Sequence, residues 1–264
     1  IMRLKLLKVF ALTGFFFFLT GSLHAQNCIS TNLNGTVINR SCTQLCAPIN
    51  LQIPHIKSSS DYTLVSTPYA PYPYVTTTGA EDFNLYADDE YSYLVNLPFN
   101  FCFYGANYNS AVVGSNGLIT FDPANASCAN AWPITQPIPY ALGTQCSSFS
   151  TYYPRASIMA AYSDLDPRIG ASTTDRKIQW EVVGTAPCRK FVVSFYHIGV
   201  FGVQAGSCPA PANTFQIVIH ESTGIIELFF ERKSCNSSTN NGRGILGIQN
   251  WNQNQAVWGV GKNN

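Results

Sequence analysis

Apolar and polar positions alternate with a period of two along most of the chain, and the periodicity of an amphipathic helix is almost absent. Alternation of this kind is typical of β-strands that bury one face. Clear examples are Phe99–Phe103, Phe215–Ile219 and Ile226–Phe230. The same pattern predicts further strands at Ser157–Tyr162, Lys177–Val183, Lys190–His197 and Ile245–Asn250.

Two turn motifs connect predicted strands into hairpins. Glu221–Gly224 separates the strands that contain Phe215 and Ile226, and Asn116-Gly117 lies between two other apolar runs. Asn and Gly tolerate the positive φ that both central positions of a type I′ hairpin turn require. Strands joined by hairpins without helices predict an all-β fold, either an antiparallel β-sandwich or an open, barrel-like sandwich.

The N-terminal residues have a different pattern. Arg and Lys residues precede the apolar run Val9–Leu19, and small residues follow it as far as Ala25. These are the parts of a secretory signal peptide, and the apolar run is shorter than the roughly 20 residues that cross a bilayer. We predict a signal peptide at residues 1–25, no transmembrane segment, and a protein that is secreted or lies on the outer cell surface.

Two regions follow the signal peptide. Residues 26–75 form a cysteine-containing lead-in whose Pro/Tyr-rich segment, Pro68–Tyr74, is expected to lie as an extended strap on a surface. Residues 76–264 form the predicted sandwich domain. We expect this domain to be truncated at its C-terminal end, which leaves the edge of Ile245–Ile248 unpaired and prone to aggregation. Further domains of the same chain would then lie downstream.

Composition narrows the choice of partners. Charged residues make up 11% of the chain and the formal net charge is +1, whereas about 25% is usual. Because no basic face is visible, the sequence disfavours nucleic acid as a partner.

All nine cysteines follow the signal peptide, and in an oxidising compartment they are expected to form disulfides. We predict Cys128–Cys146 and Cys208–Cys235, which each close a loop between neighbouring strand regions, and Cys102–Cys188, which requires two strand runs to be neighbours. Two of the three N-terminal cysteines should pair and one should remain (Cys28, Cys42 and Cys46). Cys42 and Cys46 lack the second ligand pair of a zinc site.

Acidic residues are the main candidates for chemistry. Asp164 and Asp166 precede Pro167, and another acidic run lies at Asp88–Glu90. Carboxylates in an Asp-x-Asp-Pro segment commonly accept backbone N–H bonds in a turn. The favoured functional alternative for Asp164 and Asp166 is calcium, because Ca²⁺ prefers oxygen ligands. No other cofactor is predicted.

Catalysis is disfavoured by the motifs. Glycosidic cleavage needs two converging carboxyl groups, and no second member is apparent for Asp164 and Asp166. Gly114–Gly117 lacks the spacing of a serine nucleophile elbow. His197 and His220 lie on predicted strands with no carboxylate placed beside either of them. We therefore predict that the protein is not an enzyme.

Five tyrosines lie in Pro-rich or polar loops: Tyr69, Tyr72, Tyr74, Tyr152 and Tyr153. Exposed tyrosines can stack on sugars or anchor a partner protein. The alternative, which we favour, is that they cover the edges of the sandwich.

Several blocks resemble known domains in the right order. Leu97–Gly105 and Val113–Phe121 resemble the start of a nidogen-like (NIDO-type) extracellular domain, Ala160–Pro167 its next block and Asn213–Ile219 its penultimate hairpin. Gly184–Phe195 and Glu221–Glu227 are similar to N-terminal regions of large Bacteroidetes surface proteins, which are labelled gliding-motility-associated and carry a sorting domain for type IX secretion.

The resemblance implies a non-catalytic, secreted or cell-surface module of an adhesin-like protein that binds an extracellular protein or glycan. The alternative is a secreted carbohydrate-active enzyme or its accessory sugar-binding domain. A third interpretation, a eukaryotic matrix protein, depends on N-x-S/T sequons, which include Asn125-Ala126-Ser127. It ranks last, because sequons arise by chance in a chain so rich in Asn and Ser.

Overall fold

The computed structural model describes residues 59–169, 175–202, 213–233 and 240–263. These residues form twelve β-strands and two short 3₁₀ helices. The strands are β1 (Ala80–Glu81), β2 (Val95–Phe103), β3 (Ala106–Gly114), β4 (Leu118–Thr120), β5 (Ser157–Tyr162), β6 (Leu165–Asp166), β7 (Lys177–Val183), β8 (Lys190–Val200), β9 (Asn213–His220), β10 (Ile226–Arg232), β11 (Ile245–Gln249) and β12 (Ala256–Asn263). The 3₁₀ helices are Phe83–Tyr86 and Pro123–Asn125.

The strands form two antiparallel sheets. The first has the order β1-β7-β8-β9-β10, with β6 paired to β8, and the second has the order β12-β11-β5-β4-β3-β2. The sheets pack as a sandwich, so the predicted all-β sandwich is confirmed. The strands that the alternation pattern predicts are present as β2, β5, β7, β8, β9, β10 and β11.

The period-two pattern sorts side chains between the inside and outside of the sandwich. On β8, Phe191, Val193 and Phe195 belong to the core shared by both sheets, whereas Val192 packs in a separate cluster with Val218 and other residues. Each fully buried side chain of this size contributes about 1.5–3 kcal/mol to folding.

Both outer faces are covered in part by other segments. On the second sheet, Met159 and Tyr162 pack with loop residues such as Ile134 and Tyr153. On the first sheet, the Pro/Tyr strap lies over Val192 and Val218, and Tyr72 packs against this outer cluster. The strap therefore lies on the outer face of the first sheet.

Residues 59–74 contact both sheets. The backbone of Ser59 donates to the Cys102 Sγ atom at 3.1 Å and accepts from Gly105 at 2.6 Å, both at the end of β2 in the second sheet. In the first sheet, the buried Gln216 accepts from the Tyr72 N–H at 2.9 Å and donates to the Tyr72 carbonyl at 2.9 Å and to the Pro73 carbonyl at 3.3 Å.

Two expectations about strand connections are wrong. The edge of Ile245–Ile248 is not unpaired, because β12 pairs with β11 along it. Asn116-Gly117 does connect the β3–β4 hairpin, but only Gly117 has positive φ (89°). Gly117 donates to the Gly114 carbonyl at 3.1 Å, which makes a three-residue hairpin loop rather than a type I′ turn.

The predicted Cys128–Cys146 disulfide is present. The predicted Cys102–Cys188 disulfide is wrong, since Cys102 is a buried free thiol and Cys188 is disulfide-bonded to a different residue. Cys102 lies on β2 at the edge of the second sheet, whereas Cys188 precedes β8 in the first sheet, so the two strand runs are not neighbours. Four further cysteines of the predicted pairings, and one left over, lie outside the described residues (Cys28, Cys42, Cys46, Cys208 and Cys235).

Candidate functional site

Four aspartates from two distant parts of the chain meet at one place. Asp88 and Asp89 follow the first 3₁₀ helix, Asp164 follows β5 and Asp166 lies on β6. Asp88, Asp89 and Asp164 each place a carboxylate oxygen within 4.8 Å of the others. We call these four residues and Arg168 the acidic cluster.

Arg168 donates hydrogen bonds to both carboxylate oxygens of Asp166. Its Nε and Nη2 atoms donate to the two carboxylate oxygens of Asp166 at 2.9 and 2.8 Å, and its backbone N–H donates to Oδ1 at 2.9 Å. The last bond is the turn-capping role that the sequence predicts for this carboxylate. Arg168 also reaches Asp88 at 2.8 Å. The two predicted calcium ligands are therefore separated, because Asp166 is paired with Arg168 while Asp164 lies with Asp88 and Asp89.

Asn116 joins the loops that carry the cluster. Its buried side chain donates to Asp89 Oδ1 at 3.0 Å and to the Asn130 carbonyl at 3.1 Å, and it accepts from the Leu165 N–H at 2.8 Å. From the sequence alone, Asn116 is expected only to form a hairpin turn. The residues next to Asn116 in the sequence do not indicate that it is buried, since its hydrogen-bond partners lie 14 to 49 residues away.

The cluster holds more negative charge than its arginine balances. Burial, followed by the charge of Asp166, raises the pKa of Asp88 to about 6 although Arg168 opposes the shift. Burial also raises the pKa of Asp89 to about 7, with further contributions from Asp88 and Asp164, while the hydrogen bond from Asn116 opposes the shift. In addition, Asp88 Oδ1 is buried without a hydrogen-bond partner in the described part of the chain.

This donor set fits a divalent cation. Three carboxylates with oxygens in mutual reach supply the hard ligands that Ca²⁺ prefers. The alternative chemistry is acid–base catalysis, because a carboxyl group with a pKa near neutrality can donate a proton.

A cavity of about 450 Å³ adjoins the cluster through Arg168. Phe83, Tyr86 and Glu90 also line it, whereas none of the four aspartates is among its lining residues. Phe83 is 88% exposed. Asp82 fixes the helix that carries Phe83 by accepting from the Asn84 N–H at 2.9 Å. The cavity therefore presents an aromatic ring and an ion-paired guanidinium rather than the cluster carboxylates.

A model of the family described as NIDO related matches residues 61–263. The chain belongs to the NIDO-related family. Domains of the nidogen-like type are extracellular modules, so the family membership agrees with the predicted location outside the cell. No curated protein and no solved structure matches the chain. Among the described residues of the NIDO-related domain, no helix is long and apolar enough to cross a membrane.

The histidines of the NIDO-related domain are not isolated, contrary to expectation. His197 Nδ1 lies 2.6 Å from Asp175 Oδ2, and His220 Nε2 lies 2.7 Å from Glu227 Oε2. The second pair spans the β9–β10 hairpin, where Ile219 faces Ile226. A cross-strand neighbour of this kind can be read from the hairpin register once the turn is known.

The five loop tyrosines separate into two groups. Tyr152 and Tyr153 are buried under the loop that covers the second sheet, and Tyr72 and Tyr74 are half-buried in the strap. Tyr69 is exposed and its ring packs edge-on against Phe229. The favoured interpretation placed these tyrosines at the edges of the sandwich, whereas Tyr72 and Tyr153 pack on its outer faces, in the clusters of Val192 and Met159. Asn125 of the sequon Asn125-Ala126-Ser127 is fully buried, which removes it as a glycan acceptor.

Proposed function

We propose that this NIDO-related protein is a non-catalytic extracellular module of an adhesin-like surface protein. The observation that carries the proposal is the surface beside the acidic cluster, where Phe83 projects from a capped helix next to a ligand-sized cavity. Exposed aromatic rings on ordered backbone are frequent anchors in protein interfaces.

The acidic cluster supports a role for calcium in this module. A calcium ion held by Asp88, Asp89 and Asp164 would offset the burial and the carboxylate repulsion that raise the pKa values of Asp88 and Asp89, and it would fix the loop that follows the Phe83 helix. In this proposal, Asp164 binds calcium together with Asp88 and Asp89, whereas the other predicted ligand, Asp166, stays paired with Arg168.

The proposed setting is the bacterial cell surface. The similarity of Gly184–Phe195 and Glu221–Glu227 to gliding-motility-associated proteins supports export through type IX secretion and attachment by domains downstream.

The test uses beads coated with the mature chain, residues 26–264, applied to intact bacterial cells and to immobilised extracellular proteins and glycans. We expect several-fold higher retention than for albumin-coated beads, and a loss of retention on Phe83→Ala. Phe149→Ala is the matched control, because Phe149 is 83% exposed and does not line the cavity. Retention equal to that of albumin on every surface would contradict the proposal.

A secreted carbohydrate-active enzyme is the second candidate, favoured by the raised pKa values of Asp88 and Asp89. Incubation with a panel of polysaccharides separates the two candidates. Release of reducing ends that is abolished by Asp89→Asn would establish the enzyme, and no release is expected.

A further inference from the structure

A cleft of about 460 Å³ lies between the β2–β3 turn and the β11–β12 turn, apart from the acidic cluster. Its lining includes Tyr104 and Tyr108 from one side and Trp251 and Asn252 from the other. No Asp, Glu, Lys or Arg is among its lining residues. A volume of this size falls within the roughly 300–1,000 Å³ of small-ligand sites.

The loop that carries Trp251 is held in one conformation. The Asn250 side chain accepts from the Asn254 N–H at 3.0 Å and from the Gln255 N–H at 3.2 Å, and it donates to Asn254 Oδ1 at 2.7 Å. The buried Gln253 donates to the Tyr140 and Tyr153 carbonyls at 2.9 and 2.7 Å. An exposed indole on such an anchored turn loses little conformational freedom when a ligand binds.

The aromatic rings of the cleft form a platform. Tyr108 and Trp251 are roughly parallel, with ring centroids 6.5 Å apart and 28° between their planes. Tyr108 in turn stacks on the buried Phe121, at 5.0 Å. The Arg155 guanidinium lies 5.7 Å from the centroid of the indole ring, which further fixes Trp251.

Several polar groups that line the cleft are available to bind a ligand. Within the described part of the chain, Trp251 Nε1, the Tyr108 hydroxyl and the Asn252 amide have no hydrogen-bond partner, and the buried Tyr104 hydroxyl has none either. Burial, with a smaller contribution from Asp61, raises the pKa of Tyr104 to about 12, so its hydroxyl stays protonated at neutral pH. An unpaired buried hydroxyl is unfavourable, so a ligand group that pairs with it is favoured.

We propose that this cleft binds a neutral pyranose unit of a glycan. The face of a pyranose carries C–H groups with partial positive charge, which are attracted to the negative face of an aromatic ring. Its hydroxyls pair with neutral donors and acceptors such as an indole N–H, phenols and an amide. The residues that line the cleft are uncharged, and the guanidinium beside them, that of Arg155, lies against the indole ring. The inference rests on the proposed extracellular binding function and adds a second binding site, separate from the Phe83 surface, with its own ligand class.

The test is a glycan array of neutral hexose and N-acetylhexosamine oligosaccharides beside acidic ones, probed with residues 26–264. Any neutral oligosaccharide that binds is then titrated by isothermal calorimetry, a readout that does not depend on Trp251. We expect Trp251→Ala to weaken its binding roughly tenfold to 100-fold, since single aromatic anchors dominate such interfaces. Trp258→Ala is the matched control, because Trp258 on β12 is 43% exposed against 38% for Trp251 and does not line the cleft.

Asn252→Ala is a second variant that leaves the core untouched, and a several-fold weaker binding of the same oligosaccharide is expected. Neutral-glycan binding that Trp251→Ala and Asn252→Ala leave unchanged would overturn the inference, as would a preference for acidic glycans. If coated beads adhere to cells or proteins while the array shows no glycan binding, the cleft assignment fails and the proposed function stands. If neither assay detects binding, both fail.

Discussion

Asp89→Asn is expected to stabilise the protein near neutral pH in the absence of calcium. Asp89 has a left-handed backbone with φ of 55°, a conformation that Asn tolerates as well as Asp. The amide oxygen of Asn can also accept the bond that Asn116 donates to Asp89 Oδ1. The substitution therefore removes the negative charge and changes little else.

The magnitude follows from the pKa of about 7 for Asp89, against the ordinary value of 3.8 for an aspartate. Each pKa unit corresponds to about 1.4 kcal/mol, so the shift sets an upper limit of about 4 kcal/mol. Because Asp89 is partly exposed and water screens its neighbours, we expect about 1–2 kcal/mol. For a domain of this size, that is a rise of a few degrees in Tm.

The sign of the pH dependence is fixed by the raised pKa. The folded state binds the Asp89 proton more tightly than the unfolded state, so the stability linked to this carboxyl is present below about pH 4 and is lost as the pH rises through about 7. Asp89→Asn should therefore gain Tm at about pH 8 and match the wild type near pH 4.

The assay is thermal unfolding by circular dichroism at several pH values with a chelator present. Asp61→Asn is the control, since Asp61 is exposed, lies outside the cluster and also accepts a backbone bond, from the Tyr62 N–H at 2.8 Å. Millimolar calcium should raise the Tm of the wild type and not that of Asp89→Asn. A loss of Tm of equal size at every pH would refute the reasoning, because it would mean that Asp89 acts through packing rather than charge.

Three further predictions concern the scaffold. Gln216→Ala should remove the hydrogen bonds to the strap, lower stability by about 1–3 kcal/mol and speed hydrogen exchange in residues 68–74, whereas unchanged exchange there would contradict the anchoring role. In the native protein, Cys102 should resist iodoacetamide and react only after denaturation, and a non-reducing peptide map should show it unpaired; a disulfide to Cys102 would contradict the structure. The hydrogen bond from His220 is the main reason that the pKa of Glu227 is lowered, so the stability that this pair contributes is present above about pH 4.5 and is lost as the pH falls. Glu227→Gln should therefore flatten the acidic part of a plot of stability against pH, and an unchanged plot would count against the pair.

Local pattern predicted much of the fold. The β9–β10 hairpin and the alternating Phe99, Phe101 and Phe103 depend on neighbouring residues, which the sequence displays directly. Strand order depends on contacts between distant segments and has no such signal. For that reason the Cys102–Cys188 pairing was wrong, although the shorter loop of Cys128–Cys146, with a separation of 18 residues, was predicted.

The acidic cluster shows the same limit. Both acidic runs are visible in the sequence, but their meeting requires that a loop before β2 approach the end of β5. Asn116 and the Trp251 cleft were missed because a buried amide and an aromatic platform look like an ordinary turn residue and a surface tryptophan.

The attachment of residues 59–74 to both sheets has a mechanical consequence. Among the described residues, a load applied from the N-terminal side reaches Ser59 at the β2–β3 turn before it reaches the Gln216 contacts. Residues 59–74 belong to neither sheet, so peeling them away leaves the described strand pairings in place. While residues 59–74 are attached, they tie the two sheets together and resist sliding of one sheet over the other.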